Sequence, residues 1–509
     1  MSTARDSSNS LRSNERPSIS NSAETLNPSA SSSGTHGIST NKLLPHGSAP
    51  SGPLCSPARS REHDQKDDGP RRDVIRFRTS LRNTICDVMR DRGWKETDSD
   101  TDWDVFWADV HWLHEFFDKS YFSEYQRINH FRNHYELTRK DLLVKNIKRT
   151  LRAVEREHGP EAASKFDFVS QSFSLPSEHA LFSEEFKRTP GAVWIMKPAG
   201  RAQGKGIFLI NKLSQVNGWK RPDANKKRIT GSNTSLAGNA ARASQLSSAA
   251  KKNAEQEEEE GVEAYIVQRY IENPFLIGGK KFDIRAYVLV TSYAPLTVYL
   301  HRNGFCRFSN TQFSMNARDI SNLYIHATNV AIQKTAPNYV AAKGCKWLLR
   351  SLKRYVATHR GQEAAETLFS EMEQLVVRAL LSVQKVMIND KHCFELYGYD
   401  ILVDNNLKPW LLEVNASPSL SAETAWDYDL KHAVLNDMFD VVDLEREHAS
   451  HKGPRTKVGG FDLIYNDGPV QKGGNNGGHV SYLGCYCPIN EAPKSRRRKR
   501  EMLGHGSSS

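Results

Sequence analysis

The chain has 509 residues, 38% of them hydrophobic, which leaves room for a large enzyme but marks part of the length as unable to join a core. Its formal charge is +11 with a pI near 9.1, which suits an anionic partner without choosing among nucleic acid, membrane and acidic protein. Seven cysteines without a C-x-x-C pair argue against a disulfide framework or a zinc site. No stretch approaches the ~18 apolar residues of a membrane span, and no apolar signal core opens the sequence, so a cytosolic or cytoskeletal setting is expected.

Residues 1–72 are dominated by Ser, Asn, Pro, Gly and charge, and are expected to be disordered. Order is expected from Val74, with a short strand at Ile75–Phe77 and a helix from Thr84 to Arg92. Trp94, Trp103, Phe106, Trp107, Trp112, Phe116 and Phe117 could stack on bases, but Asp98, Asp100, Asp102, Asp104 and Asp109 lie among them. Core packing is the better reading, and no nucleic-acid partner is expected. Leu142–Glu157 reads as a basic helix closed by Gly159-Pro160. Strands follow at Val193–Met196, Ile207–Ile210, Ala264–Val267 and Phe282–Tyr293. A low-complexity insertion, 220–262, separates the second of these from the third. Residues 344–388 read as two helices, before strands at Tyr397–Val403 and Lys408–Val414. The tail from 446 to 509 is Gly-rich, ends in a basic run, and is expected to be largely disordered.

Three segments carry chemistry. In Trp194–Gly206 a lysine, Lys197, ends an apolar strand, and a Gly-rich loop leads to another strand. Such a loop can bring backbone N–H groups close to phosphate, although an ordinary hairpin turn has the same composition. It is not a Walker A loop, since no Ser or Thr follows Lys205. In Lys280–Val290, strand alternation puts Lys281, Asp283 and Arg285 on one face and Phe282, Ile284, Ala286 and Val288 on the other. The charged face fits either a polyanionic ligand or a structural ion-pair network. In Tyr399–Asn415 two strands flank Asn405-Asn406. A two-residue loop there would set Asp400 opposite Leu411 and diagonal to Glu413, with Asn415 on the same face. Two carboxylates and an amide oxygen suit magnesium shared with phosphates, or a carboxylate pair acting without metal.

Together these segments resemble the tubulin tyrosine ligase-like family over roughly residues 74–445. The resemblance implies an α/β (α+β), ATP-grasp-like, multi-lobed ligase whose catalytic domain spans 73–445. Glu413–Leu420 and Asn273–Lys280 resemble the polyglutamylase branch. Gly459–Asp462 and Asn466–Val470 resemble the tail of a member associated with cilia and flagella. The implied reaction is ATP- and Mg-dependent ligation of free L-glutamate to glutamate side chains in the acidic tails of tubulin, through an acyl phosphate. The implied setting is cytoplasm and cytoskeleton, at a ciliary or flagellar axoneme or basal body, with accessory subunits as possible partners.

The family's roles fall on named positions. Lys140, Lys197, Gln203 and Gly204 would contact ATP, with Gln268, Arg269, Tyr270 and Ile271 as the hinge beside adenine. Lys281, Phe282, Asp283, Thr328 and Asn329 would complete the nucleotide site. Arg307, Lys346 and Lys431 would hold glutamate, Arg285 would act at the acceptor and phosphate centre, and Asp400, Glu413 and Asn415 would bind metal, with two magnesium ions expected. A glycylase on the same scaffold and a non-catalytic ciliary microtubule-binding protein are the alternatives. Arg307 and Lys431 disfavour the first, and the intact metal set disfavours the second.

Overall fold

The computed structural model describes residues 74–489, apart from 202, 220–263, 338, 340–345, 417, 423, 449, 452 and 471–479. The expectations for 1–72 and for the 220–262 insertion lie outside the described residues. Three sheets organise the chain. The first holds β1 (Arg76–Thr79), β2 (Lys95–Glu96), β3 (Val105–Trp107) and β4 (Arg127–Ile128), all parallel, in the order β2-β1-β3-β4. The second holds β5 (Ser172–Leu175), β6 (Trp194–Pro198), β7 (Phe208–Ile210) and β8 (Tyr265–Arg269), antiparallel, in the order β5-β8-β6-β7.

The third and largest sheet holds β9 (Phe282–Tyr293), β10 (Leu296–His301), β11 (Phe305–Phe308), β12 (Lys346–Leu348), β13 (Glu395–Val403), β14 (Pro409–Asn415), β15 (Lys457–Val458) and β16 (Phe461–Asn466). Its centre is β9. One edge of β9 pairs with β11 near its start and with β10 near its end, and the other edge pairs with β13. Both faces of β9 are covered, as its near-continuous apolar run requires. Phe282, Ile284, Ala286, Val288 and Val290 pack under the helix Gln362–Gln384, in one core with its Phe369, Met372 and Leu375. Tyr287 and Leu289 turn the other way, toward Leu430, Val434 and Met438 of the helix Ala425–Val442. Each such aliphatic or aromatic side chain contributes about 1.5–3 kcal/mol on burial.

The aromatic run is core, as expected: Trp94, Trp103, Phe106, Trp107 and Phe117 are buried, whereas Phe116 is exposed. The basic helix runs farther than expected, Lys140–Ser164, because Gly159 takes φ 81 and kinks the chain instead of ending it. The tail needs a larger correction. The expectation of a largely disordered chain beyond 445 does not hold for its described part, where β16 pairs with β10 and buries Phe461, Leu463 and Ile464, while 471–479 and 490–509 lie outside the described residues. Ser481 Oγ donates to buried Glu373, and Lys353 donates to the carbonyls of Ser481 and Leu483, so 480–489 lies strapped against the large sheet's helices. Alternating Phe461, Leu463 and Tyr465 on β16 carry this signal within a Gly-rich composition.

Candidate active site

A cleft of about 720 Å³ lies where the second sheet faces the large one. The second sheet contributes Ile195, Lys197 and Gln268, followed by Arg269, Tyr270 and Ile271 where β8 ends. The large sheet contributes Lys281, Asp283, Asp400, Leu402, Leu412 and Glu413, and the segment 326–329 closes one side. Alternation sets these walls: Ile195 and Lys197 share a face of β6, and Asp400 and Leu402 share a face of β13.

The lysines are buried and held by neutral oxygens. Lys197 Nζ donates to Gln268 Oε1 at 2.6 Å, and Gln268 Nε2 donates to Ser172 Oγ at 2.9 Å. Lys281 Nζ donates to the Tyr270 hydroxyl at 2.9 Å and to the His326 carbonyl at 2.8 Å. Burial pushes Lys197 down to about 8, with Glu413 opposing and Lys140 adding to the shift. It pushes Lys281 down to about 7, helped by Lys197. Lys140 Nζ lies 3.1 Å from Glu413 Oε2 and donates to the Arg201 carbonyl at 3.2 Å, linking the basic helix to the Gly-rich loop. Lys197 and Lys281 thus reach neutral partners at the cleft wall, an arrangement that a polyphosphate would complete.

The carboxylate hairpin reaches its arrangement by an unexpected route. Its loop has three residues, Asn405, Asn406 and Leu407, closed by the Asp404 N–H to the Lys408 carbonyl, with Leu407 at φ 64. That extra residue alone would set Leu412 opposite Asp400 and turn Glu413 away. A bulge between Asp400 and Ile401 adds one more, so Asp400 stands directly across from Glu413 and Gly398 across from Asn415. The expected two-residue loop and diagonal pairing are therefore wrong, and two one-residue shifts restore the expected common face. Asn415 Nδ2 donates to the Gly398 carbonyl at 3.2 Å and lies 3.5 Å from Asp400 Oδ2.

Asp400 carries two arginines. Arg285 Nε and Nη2 donate to it at 2.5 and 3.0 Å, and Arg307 Nη2 lies 2.7 Å from its Oδ2. Arg307 also grips Asp283 with its Nε at 2.8 Å and its second nitrogen. Burial opposes the Asp400 charge, but the two guanidiniums outweigh it and hold the carboxyl well below the usual range. The face Lys281–Asp283–Arg285 thus exists as read from alternation, and it is both a cleft wall and an ion-pair network.

Beside this network, Arg307 on β11 pairs directly with Lys346 on β12. Lys346 and Lys431 each reach Asp427 Oδ2 at 3.1 Å, and Lys431 also donates to the Ser421 carbonyl at 2.6 Å. Burial lowers Lys431 to about 8, with Asp427 opposing and Lys346 adding to the shift. Residues far apart in sequence, 307, 346 and 431, are thereby gathered next to Arg285 and Asp400.

Most of the sequence-selected residues meet in this region. Thr328 and Asn329 line the cleft, and Asn329 backs the Gly-rich loop: a Cβ on Gly204 (φ 76) would lie 2.6 Å from Ile332 Cδ1 and 3.2 Å from Asn329 Oδ1. Two selections need correction. Phe282 is not in the cleft; it faces the opposite side of β9, packed on Phe275 and Phe308. Gln203 stands exposed at φ 62 and is not among the residues that line the cleft. Sequence reasoning missed His326, which bonds the Tyr270 hydroxyl at 3.0 Å, and Asp427, which joins the two lysines. It also missed the apolar walls Ile195, Leu402 and Leu412, which alternation from Lys197, Asp400 and Glu413 could have suggested only in part.

The fit of the hairpin to a metal ion can be judged from the chemistry of its donors. Asp400, Glu413 and Asn415 present hard oxygens around one hairpin beside buried lysines, which suits magnesium bridging to phosphate. Such a lysine-lined, carboxylate-bearing cleft between two sheets is the arrangement of an ATP-grasp-like ligase. The chain belongs to the tubulin-tyrosine ligase family, whose profile its residues 118–450 match. It is 53% identical over 402 residues to the probable tubulin polyglutamylase TTLL9 of Bos taurus, covering 78% of this chain and 85% of that one. A probable tubulin polyglutamylase of Caenorhabditis elegans, ttll-9, is 45% identical over 406 residues, 79% of this chain and 87% of the relative. The probable alpha-tubulin polyglutamylase Ttll1 of Tetrahymena thermophila is 40% identical over 417 residues, 78% and 94% of the two chains.

Proposed function

We propose that this chain is a tubulin polyglutamylase, a multi-lobed ATP-grasp ligase that joins free L-glutamate to glutamate side chains of tubulin tails. The observation that carries the choice of amino acid is the gathering of Arg307, Lys346 and Lys431 beside Asp400. A dicarboxylic amino acid can use that many cations, whereas glycine has no side-chain carboxylate to offer them. Family membership and the identities above support the same reaction.

In the proposed reaction an acceptor carboxylate oxygen attacks the γ-phosphorus of ATP, and ADP leaves. The amine of glutamate then attacks the acyl carbon, and phosphate leaves as the new amide forms. Lys140, Lys197 and Lys281 neutralise phosphate charge, and the apolar walls Ile195, Leu402 and Leu412 take the base. Asp400, Glu413 and Asn415 would hold magnesium, two ions in this reading, which when bound neutralises and aligns the phosphates. Arg285, fixed on β9 beside Asp400, orients the acceptor carboxylate and stabilises charge at the transferred group. Arg307 exchanges an acidic partner for a glutamate carboxylate, with Lys431 and Lys346 on its flank.

The basic chain is suited to the acidic tails by charge, and the association should weaken with salt. Assembly with accessory subunits at a ciliary or flagellar axoneme or basal body is part of the same proposal. The deciding experiment incubates the protein with microtubules, Mg-ATP and isotopically labelled glutamate or glycine, and reads the tails by mass spectrometry. Glutamate branches are expected. Glycine incorporation would replace the reading with a glycylase, and no incorporation even with ciliary extract would leave a binding protein.

A further inference from the structure

The cleft occupies one end of β9, and a second pocket lies near the other. Thr291 lines it, eight residues beyond Asp283, about 26 Å along an extended strand. The pocket is about 730 Å³, and Arg127, Lys391, His448, His451 and Arg455 line it around Phe394. These basic residues come from the β4 strand, the approach to β13, and the chain after the helix Ala425–Val442.

Arg127 is the unusual member. Its guanidinium donates only to backbone carbonyls, those of Glu124 at 2.7 Å and Gln126 at 2.9 Å. Among the described residues no carboxylate pairs with it. Arg92, Arg285 and Arg307, also well covered, each bind at least one carboxylate. The acids nearby are already engaged. Glu124 is bound by Lys391, Asp390 accepts the His392 N–H at 2.8 Å, and Asp443 accepts the backbone N–H groups of Glu447 at 3.0 Å and His448 at 3.1 Å. Burial pushes Arg127 downward and the neighbouring Arg446 adds to the shift, together outweighing the opposing Glu124 and Asp390, so its surroundings disfavour the charge that a guanidinium keeps at any ordinary pH. A half-buried cation with no carboxylate in direct contact among the described residues carries a desolvation cost, and a bound anion reduces it.

We infer that this pocket is an oxyanion site for a phosphate group, held by Arg127 and Arg455 with His448 and His451 at its rim. Donors arriving from separate chain segments suit a tetrahedral group with oxygens in several directions better than a planar carboxylate. Asp443 in the wall favours a compact anion over an acidic peptide, whose successive carboxylates would meet it. The site is distinct from the ATP cleft and shares no lining residue with it.

The test titrates inorganic phosphate into the full chain by calorimetry at constant ionic strength, with the ATP cleft saturated by magnesium and a non-hydrolysable ATP analogue. One phosphate per chain is expected to bind, and Arg127→Gln should weaken it about tenfold or more, as loss of a charge-assisted contact does. The unfolding temperature of Arg127→Gln without phosphate should not fall, and its glutamate incorporation should match the parent, because Arg127 has no part in the cleft. Absence of phosphate binding once the cleft is filled, or equal binding by the variant, overturns the site. A drop in the variant's unfolding temperature would assign Arg127 to folding alone, and Arg455→Gln then carries the same binding test. A glutamate-rich peptide serves as the second arm: if it binds through Arg127 and phosphate does not compete, the phosphate assignment is wrong.

Discussion

Glu395 and Asp400 lie on the same strand, both almost wholly buried, and only one of them belongs to a site. Glu395 faces the long-helix core. It takes His130 Nδ1 at 2.9 Å, the Phe131 N–H at 3.0 Å and the Tyr397 hydroxyl at 2.9 Å, and Tyr397 in turn accepts from Tyr293 at 3.1 Å. Asp400 faces the other way, into a cleft, where two arginines hold it across from a second carboxylate. A buried charge is therefore not in itself a sign of function. What separates the two is whether the protein's own donors close the group off, as at Glu395, or leave it among exchangeable cations on an open wall, as at Asp400.

The sharpest way to break that comparison is Glu395→Ala. It strands His130, the Phe131 N–H and the Tyr397 hydroxyl, and should cost about 3–5 kcal/mol of stability, read by denaturant unfolding. Activity per folded molecule should stay at the parent level, and a selective loss of activity would erase the distinction drawn between the two carboxylates. Glu413→Gln is the converse. Glu413 is partly exposed and, among the described residues, has a single ion pair, with Lys140, so unfolding should barely change. Glutamate incorporation should fall about 10²-fold, near 3 kcal/mol of transition-state stabilisation. Full activity in this variant would sink the metal assignment.

A smaller effect should mark the cationic pocket. Lys431→Met keeps the stem's packing and removes one of the two charges that share Asp427, leaving it to Lys346. The KM for glutamate should rise about tenfold while the KM for ATP holds, since the change removes one charge-assisted contact to one substrate. Equal rises in both would place Lys431 in the nucleotide site.

The same contrast explains what can be read from sequence. β9 is legible because both of its faces are covered: a near-continuous apolar run, with Asp283 and Arg285 alternating against Phe282, Ile284 and Ala286 at its start, leaves few arrangements. The metal hairpin is legible in content but not in register, because a left-handed Leu407 and a bulge at Leu412 each shift pairing by one and neither has a Gly or Asn-Gly marker. Phe282 is drawn into the site by sitting between Lys281 and Asp283, although alternation turns it to the core. Asp427 is illegible, since nothing local separates it from Asp429 until the helix Ala425–Val442 brings it to Lys346, 81 positions away. β16 is masked by the glycines around it, although Phe461, Leu463 and Tyr465 alternate, and its pairing with β10 and β15 makes the strand plain.

The finest test uses pH. With the cleft empty, Lys197 lies near 8 and Lys281 near 7, well below a free lysine, because burial disfavours their charge. In the unfolded chain both are protonated until about 10.4, so between their folded values and that pH the unfolded state binds more protons. The two groups therefore weigh against the empty fold at neutral pH, and that penalty fades as pH rises toward 10. Nucleotide phosphates favour the charged forms, so their folded values rise on binding and protons are taken up. Affinity for Mg-nucleotide should be highest below pH 7 and fall through pH 7–9, by at most about tenfold per pH unit for each lysine. Calorimetry in buffers of different ionisation heat should show proton uptake at pH 8, reduced in Lys281→Met. Glu395 offers the control: no donor around it changes partner when the cleft fills, so Glu395→Gln should leave the proton uptake as it is. If uptake were absent in the parent, the lysines would already be charged in the empty cleft, and the difference between a closed-off charge and an exchangeable one would have to be sought in Arg285 and Arg307 alone.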